Sequence, residues 1–191
     1  MLWNTADGSL IWENELDSEV ECMVFSPDGQ RVATSGEDYM VRMWDVATGE
    51  LLAAWEHNSG LDGIAWSHDG TMITTGSAAG NAWLWDGNDY TMRAKLSVGS
   101  AKNSLQFTKD DAFLAVGGNI KVQDKKQDKT LYYGFASLIN IQQRKVVREY
   151  KGMGASVKSL RISPDQQILA TGALTIRCDY SILRPGVCCI P

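Results

Sequence analysis

A five-residue segment recurs along this chain with a fixed period. Phe25-Ser26-Pro27-Asp28-Gly29 returns as Trp66-Ser67-His68-Asp69-Gly70, 41 residues later. Another 41 residues on it returns, weakened, as Phe107-Thr108-Lys109-Asp110-Asp111, and a fourth time as Ile162-Ser163-Pro164-Asp165-Gln166. A second landmark keeps step. Trp3-Asn4, Trp44-Asp45 and Trp85-Asp86 are each 41 apart, Ile139-Asn140 answers late, and each Trp precedes its Ser or Thr by 23 positions. Two landmarks locked in phase over three periods describe one structural unit used repeatedly. A period of roughly 40 to 45 residues with a Trp-Asp dipeptide is the mark of propeller blades.

The residues between the landmarks support strands. Val20, Met23 and Phe25 precede the first Ser-Pro-Asp-Gly, and Leu61, Ile64 and Trp66 hold the same offsets in the second unit. Val157, Leu160 and Ile162 do so in the last. Short apolar runs that end in a turn signal predict buried inner strands. Asp-Gly supplies the reversal, because Gly tolerates positive φ and Asp bonds its own backbone. Second strands are expected at Arg31–Ser35, Thr71–Gly76, Ala112–Gly117 and Gln167–Gly172, and third strands at Met40–Val46 and Asn81–Asp86. Outer strands follow at Glu50–Glu56, Tyr90–Ser97 and Lys145–Tyr150, and the first half unit contributes Leu2–Trp3 and Ser9–Glu13. Sheets that bury both faces account for the lack of clean apolar-polar alternation.

On these residues the chain resembles the WD-repeat β-propeller family over residues 2–173, about nine-tenths of its length. The best repeats run from Ser26 to Asp45 and from Ser67 to Asp86. The expected fold is all-β, a propeller of about four repeats near 1–45, 46–86, 87–141 and 142–173, followed by a cysteine-containing tail at 174–191. Three full blades are flanked by two half blades. The resemblance implies seven blades as the usual number, so three outcomes stand open: an incomplete propeller, a closed four-blade ring, or two half-rings pairing.

The resemblance also implies a network in which a His before the inner strand bonds a Ser or Thr, an Asp and the Trp. His57, Thr75 and Trp85 stand at those positions in the second full repeat, where Ala79 replaces the Asp. The first full repeat has Asp38 and Trp44 but Leu16 in place of His, and the others have Val98 and Met153. No repeat carries the whole network, which leaves packing as the main expected source of blade stability. His57 reads as a structural hydrogen-bonding residue.

The third repeat is longer by thirteen residues between Gly118 and Phe135. Its polar stretch Gln123–Lys129 cannot build a core and is expected to be a loop on the family's upper face. The net charge of −5 conceals an asymmetry. Residues 1–100 carry 4 Lys/Arg and 16 Asp/Glu, whereas residues 101–191 carry 14 and 7. Alternating acids at Glu13, Glu15, Asp17, Glu19 and Glu21 open toward the same upper face. Such fields set association rate and the sign of a partner's charge more than they set fold.

These features weigh against most chemistries. Two His residues supply no nucleophile, base and orienting set, and Gly117-Gly118-Asn119 precedes no helix that would make it a phosphate loop. No cofactor is expected. No Asp-rich loop has calcium spacing, and three clustered cysteines near the C-terminus lack the separated pairs of a zinc site. The final Cys188-Cys189-Ile190-Pro191 makes an atypical lipidation signal. Nucleic acid is a poor fit to the acidic half. No apolar run reaches the ~20 residues of a membrane span, and without a visible targeting signal the default location is cytoplasmic. The expectation is a non-catalytic scaffold that binds protein or peptide partners through upper-face loops. Its contact set is Glu15, Asp17, Glu19, Glu37, Asp38, Tyr39, Lys125, Lys126 and Tyr132, and the competing reading is an incomplete propeller with a role in self-association only.

Overall fold

The computed structural model describes residues 1–77, 80–98, 104–124, 129–153, 156–173 and 178–182. Every regular element among them is a β-strand. A short two-stranded piece comes first, β1 (Leu2–Trp3) with β2 (Leu10–Trp12). Three four-stranded antiparallel meanders follow. They comprise β3 (Val20–Phe25) to β6 (Leu51–Glu56), β7 (Leu61–Trp66) to β10 (Met92–Ser97), and β11 (Ser104–Phe107) to β14 (Lys145–Met153). A three-stranded sheet of β15 (Val157–Ile162), β16 (Ile168–Ala173) and β17 (Cys178–Ile182) ends the described chain.

Each meander turns from its first to its second strand with the same hydrogen-bond set. Ser26 Oγ donates to Asp28 Oδ1 at 2.5 Å and accepts from Arg31 N at 2.9 Å. Ser67 with Asp69, Thr108 with Asp110 and Ser163 with Asp165 repeat the hydroxyl-to-carboxylate bond at 2.7, 2.6 and 2.5 Å. The residue after the Asp takes φ near +60 to +70°: Gly29 (69°), Gly70 (72°), Asp111 (54°) and Gln166 (60°). The recurring segment is therefore one turn built four times, twice with a side chain in a backbone region that favours glycine.

The seams between sheets follow a periodic rule. Cross-strand partners share a face, and one face of each sheet carries two apolar residues of its inner strand. Ile64 and Trp66 pack with Ala33, Val41 and Met43 of the preceding sheet. Leu105 and Phe107 pack with Ala65, Ala82 and Leu84. Leu160 and Ile162 pack with Ala115 and Ala136. Gly117 stays small because an added Cβ would lie 2.7 Å from Val157 Cγ1 across the last of these seams.

The propeller is open. Among the described residues the first and last sheets share no strand pairing. The β1–β2 piece is fastened to the turn between β5 (Met40–Asp45) and β6: Trp12 Nε1 donates to Val46 O and Asn14 Nδ2 to Gly49 O, both at 2.8 Å.

The polar insertion departs from the expected loop. β12 (Phe113–Asp124) and β13 (Lys129–Asn140) are twelve residues each and pair in unbroken register from Phe113↔Asn140 to Asp124↔Lys129. The insertion thus extends the two strands as far as Asp124 and Lys129, and residues 125–128 of the expected loop lie outside the described residues. Backbone pairing does not need a core, and Ile120, Val122, Leu131 and Tyr133 along its two arms are good strand formers. Beyond residue 173 the sheet also continues, with Ile168↔Ile182 to Gly172↔Cys178 in register.

Candidate interaction surface

In an antiparallel meander the connections alternate between two ends. The Ser/Thr-x-Asp turns lie at one end, here the lower. The connections from sheet to sheet lie at the other, with the turns between second and third strands. At this upper end the connection into β3 and the turn after β4 (Arg31–Gly36) are tied together. Glu37 N donates to Glu19 O at 3.2 Å and Asp38 N to Ser18 Oγ at 3.0 Å. His57 N donates to Tyr39 O at 2.8 Å, which attaches the next connection to the same turn.

The result is an acidic patch with an aromatic beside it. The carboxylates of Glu19, Glu21 and Glu37 are all exposed, with atoms within 4.8 Å of one another. Like charges at that spacing repel, and a cationic group placed among them relieves the repulsion. Tyr39 is exposed and holds φ 66°, a strained value for a side-chain-bearing residue, sustained by its two backbone bonds. Asp38 is occupied differently. Its carboxylate accepts from Arg42 Nη2 at 2.6 Å, and that bond holds its pKa below the ordinary carboxylate value. Glu15 and Asp17 are exposed on the connection and form no hydrogen bond or ion pair among the described residues. Lys125 and Lys126 fall outside the described residues, and Tyr132 is placed only by its strand pairing with Lys121.

The second meander carries a buried polar network beneath this patch. Thr75 Oγ1 lies 3.3 Å from His57 Nε2, and Trp85 Nε1 donates to Thr75 Oγ1 at 2.9 Å. The His57 ring meets Trp83 and Trp85 edge-on at 4.5 and 5.2 Å. Burial pushes the His57 pKa down to about 4, so the ring is neutral. Its ring contacts are with Thr75, Trp83 and Trp85, and no carboxylate bonds it among the described residues. In the first meander Trp44 Nε1 reaches Thr34 Oγ1 at 2.9 Å, with Leu16 at the His position. The third replaces the trio with buried Val98, Val116 and Ile139. In the last sheet Thr171 Oγ1 contacts Met153 Sδ at 3.8 Å. One geometric site is filled in four ways.

The inner strands border an open groove of about 460 Å³, lined by Cys22, Met23, Ser104, Gln106, Ser159 and Arg161 among others. It holds no carboxylate, histidine pair or metal-ligating set among these residues. Among the described residues no helix is long and apolar enough to cross a membrane.

The family model described as "WD domain, G-beta repeat" matches residues 11–45, 49–86 and 144–182, more than half of the chain. With repeated four-stranded sheets and their shared turn, this places the protein in the WD40-repeat family, whose domains are generally non-catalytic protein-interaction scaffolds. A crystal structure of RRP9 WD40 repeats is similar, with a TM-score of 0.67 at 16% identity. The alignment covers 84% of this chain and 46% of that one. No curated protein matches the chain.

Proposed function

We propose that this protein is a non-catalytic interaction module that binds a basic protein or peptide segment across its upper end. The observation that carries this reading is the exposed Glu19, Glu21 and Glu37 cluster beside exposed Tyr39, on a frame fixed by backbone bonds. A lysine or arginine entering the cluster would neutralise one of its three negative charges and relieve the repulsion among them, and the tyrosine ring offers a low-entropy contact area. Glu15 and Asp17 would extend the field that steers such a partner, and Lys125, Lys126 and Tyr132 would form a second contact set. Asp38 serves mainly to hold Arg42. A cytoplasmic setting fits the sparse cysteines of the repeats.

The test is binding of the whole chain to an array of basic and acidic peptides, with the double variant Glu19→Lys/Glu37→Lys beside the wild type. Selective capture of basic peptides, weakened at least ~10-fold by the variant and by added salt, is the expected result. Capture that ignores peptide charge, or survives both charge reversals, overturns the assignment.

A further inference from the structure

The first and last full sheets of the arc each present one side of the pattern found at every interior seam. At every interior seam a pair of inner-strand side chains enters the preceding sheet. Their exposures are 6% and 7% for Ile64 and Trp66, 7% and 1% for Leu105 and Phe107, and 0% and 7% for Leu160 and Ile162. Met23 and Phe25 hold the same two places on β3 and are 63% and 50% exposed. The receiving face follows suit. Ala33, Thr74 and Ala115 are each 0% exposed under the pair they receive, whereas Ala170, at the same place on β16, is exposed.

One seam also carries polar contacts. Between the third and fourth sheets Ser104 Oγ accepts from Leu160 N at 2.7 Å and donates to Leu160 O at 3.3 Å. Gln106 Oε1 accepts from Ile162 N at 2.9 Å. On the free face of β15, Ser159 and Arg161 occupy the places of Ser104 and Gln106. Ser159 is exposed, and its hydroxyl can serve the backbone of Met23 as Ser104 serves that of Leu160. Arg161 is cationic, and residues 1–30 of the incoming end contain seven Asp/Glu and no Lys or Arg.

We propose that a second copy of this chain docks head to tail, the Met23–Phe25 end of one arc seated on the Ser159–Arg161–Ala170 face of another. The contact is heterologous, and two arcs that exchange it at both ends close into a ring of two chains. It uses the side faces of the arc and is independent of the upper-end reading.

The experiment is solution mass by light scattering during size exclusion, over a range of concentration and at low and high salt. The wild type is expected at twice 21.0 kDa, with dissociation promoted by salt. Met23→Asp/Phe25→Asp loses one half of the seam and Arg161→Glu/Ala170→Glu the other. Each alone should shift the dissociation constant by at least ~100-fold. Mixed together they retain one intact pair of ends and should form a 1:1 complex. All four positions are solvent-exposed, and unchanged far-ultraviolet circular dichroism will confirm that the variants fold. A wild type that stays monomeric at every concentration overturns the proposal and leaves the end faces to other occupants. So does a dimer that both variants leave intact, or a mixture that forms no complex.

Discussion

The Asp111 carboxylate caps the turn that contains His68. It accepts from His68 N at 2.8 Å and meets His68 Nδ1 at 2.9 Å, and its other oxygen accepts from Asp69 N at 2.9 Å. Asp111 itself stands where the first two turns have glycine, at φ 54°. Gln166 repeats the device one sheet later, its Oε1 accepting from Lys109 N at 3.0 Å. Where the glycine of the turn is replaced, the new side chain reaches back and clasps the preceding turn. Backbone strain of about 1–3 kcal/mol is offset by bonds that couple neighbouring sheets.

Asp111→Ala keeps the strained φ and strips the caps from two backbone donors, so a loss of about 1–3 kcal/mol is expected. Asp111→Gly relaxes the backbone and should recover part of it. Urea unfolding of the three proteins checks the order wild type, Gly, Ala. An alanine variant with the wild-type midpoint would show that the clasp contributes nothing.

The repeat was legible because turn chemistry and packing both recur: hydroxyl, Asp and positive φ at the lower end, an apolar pair on the inner strand. Ala33 and Ala115 sit under the first and third seams for the same reason. Departures from the pattern were harder to read. Asp111 and Gln166 look like decay of a glycine, and their partners lie 43 and 57 residues away. The hairpin around Gln123 carries a polar sequence in strands paired through their backbones, which no apolar period marks. β17 pairs through its backbone after the Trp-Asp landmark is lost. At the upper end, Glu19 and Glu37 were visible as acids, but their meeting depends on the Glu37 N–Glu19 O bond, which sequence spacing does not reveal.

His57 sets a pH dependence with a definite sign. Its pKa is lowered from 6.5 to about 4 in the folded protein, so between those values the unfolded chain binds more protons. Its contribution is fully present above pH 6.5, falls as the pH drops toward 4, and then levels off. The loss is on the order of 3 kcal/mol from the size of the shift. His57→Gln should flatten this part of the stability curve. Chemical denaturation at intervals from pH 7.5 to 4 tests it, and a slope equal in both proteins would remove His57 as the cause.

Gly87 is required by contact rather than by conformation. A Cβ there would lie 2.1 Å from Gly70 O and 2.9 Å from the Thr71 carbonyl carbon, both backbone atoms that cannot yield separately. Gly87 N also donates to Thr71 O at 2.8 Å. Gly87→Ala must displace one turn from the other, and a loss of at least ~2 kcal/mol is expected. Gly8, with open space around its Cβ position and φ 72°, should cost only about 1 kcal/mol as alanine. A thermal melt of both variants decides between steric and conformational demand; equal losses would refute the distinction.

Arg31 joins the first two full sheets by three kinds of contact at once. Its Nη1 donates to Gly87 O at 2.6 Å and to Tyr90 Oη at 3.2 Å, and its guanidinium carbon stands 4.9 Å from the centre of the Trp66 ring. Asp28 lies 3.7 Å from its other nitrogen, partly exposed and worth little. A planar fork can satisfy a carbonyl while stacking on an indole, whereas an ammonium cannot do both. Arg31→Lys is therefore expected to lose most of what Arg31→Ala loses, about 2 kcal/mol. Tyr90→Phe should be non-additive with either change, because its hydroxyl accepts from the Arg31 donor that both remove or alter. A double-mutant cycle on Arg31 and Tyr90 measures that coupling. If Arg31→Lys matches the wild type, charge alone holds the seam and the geometric account fails.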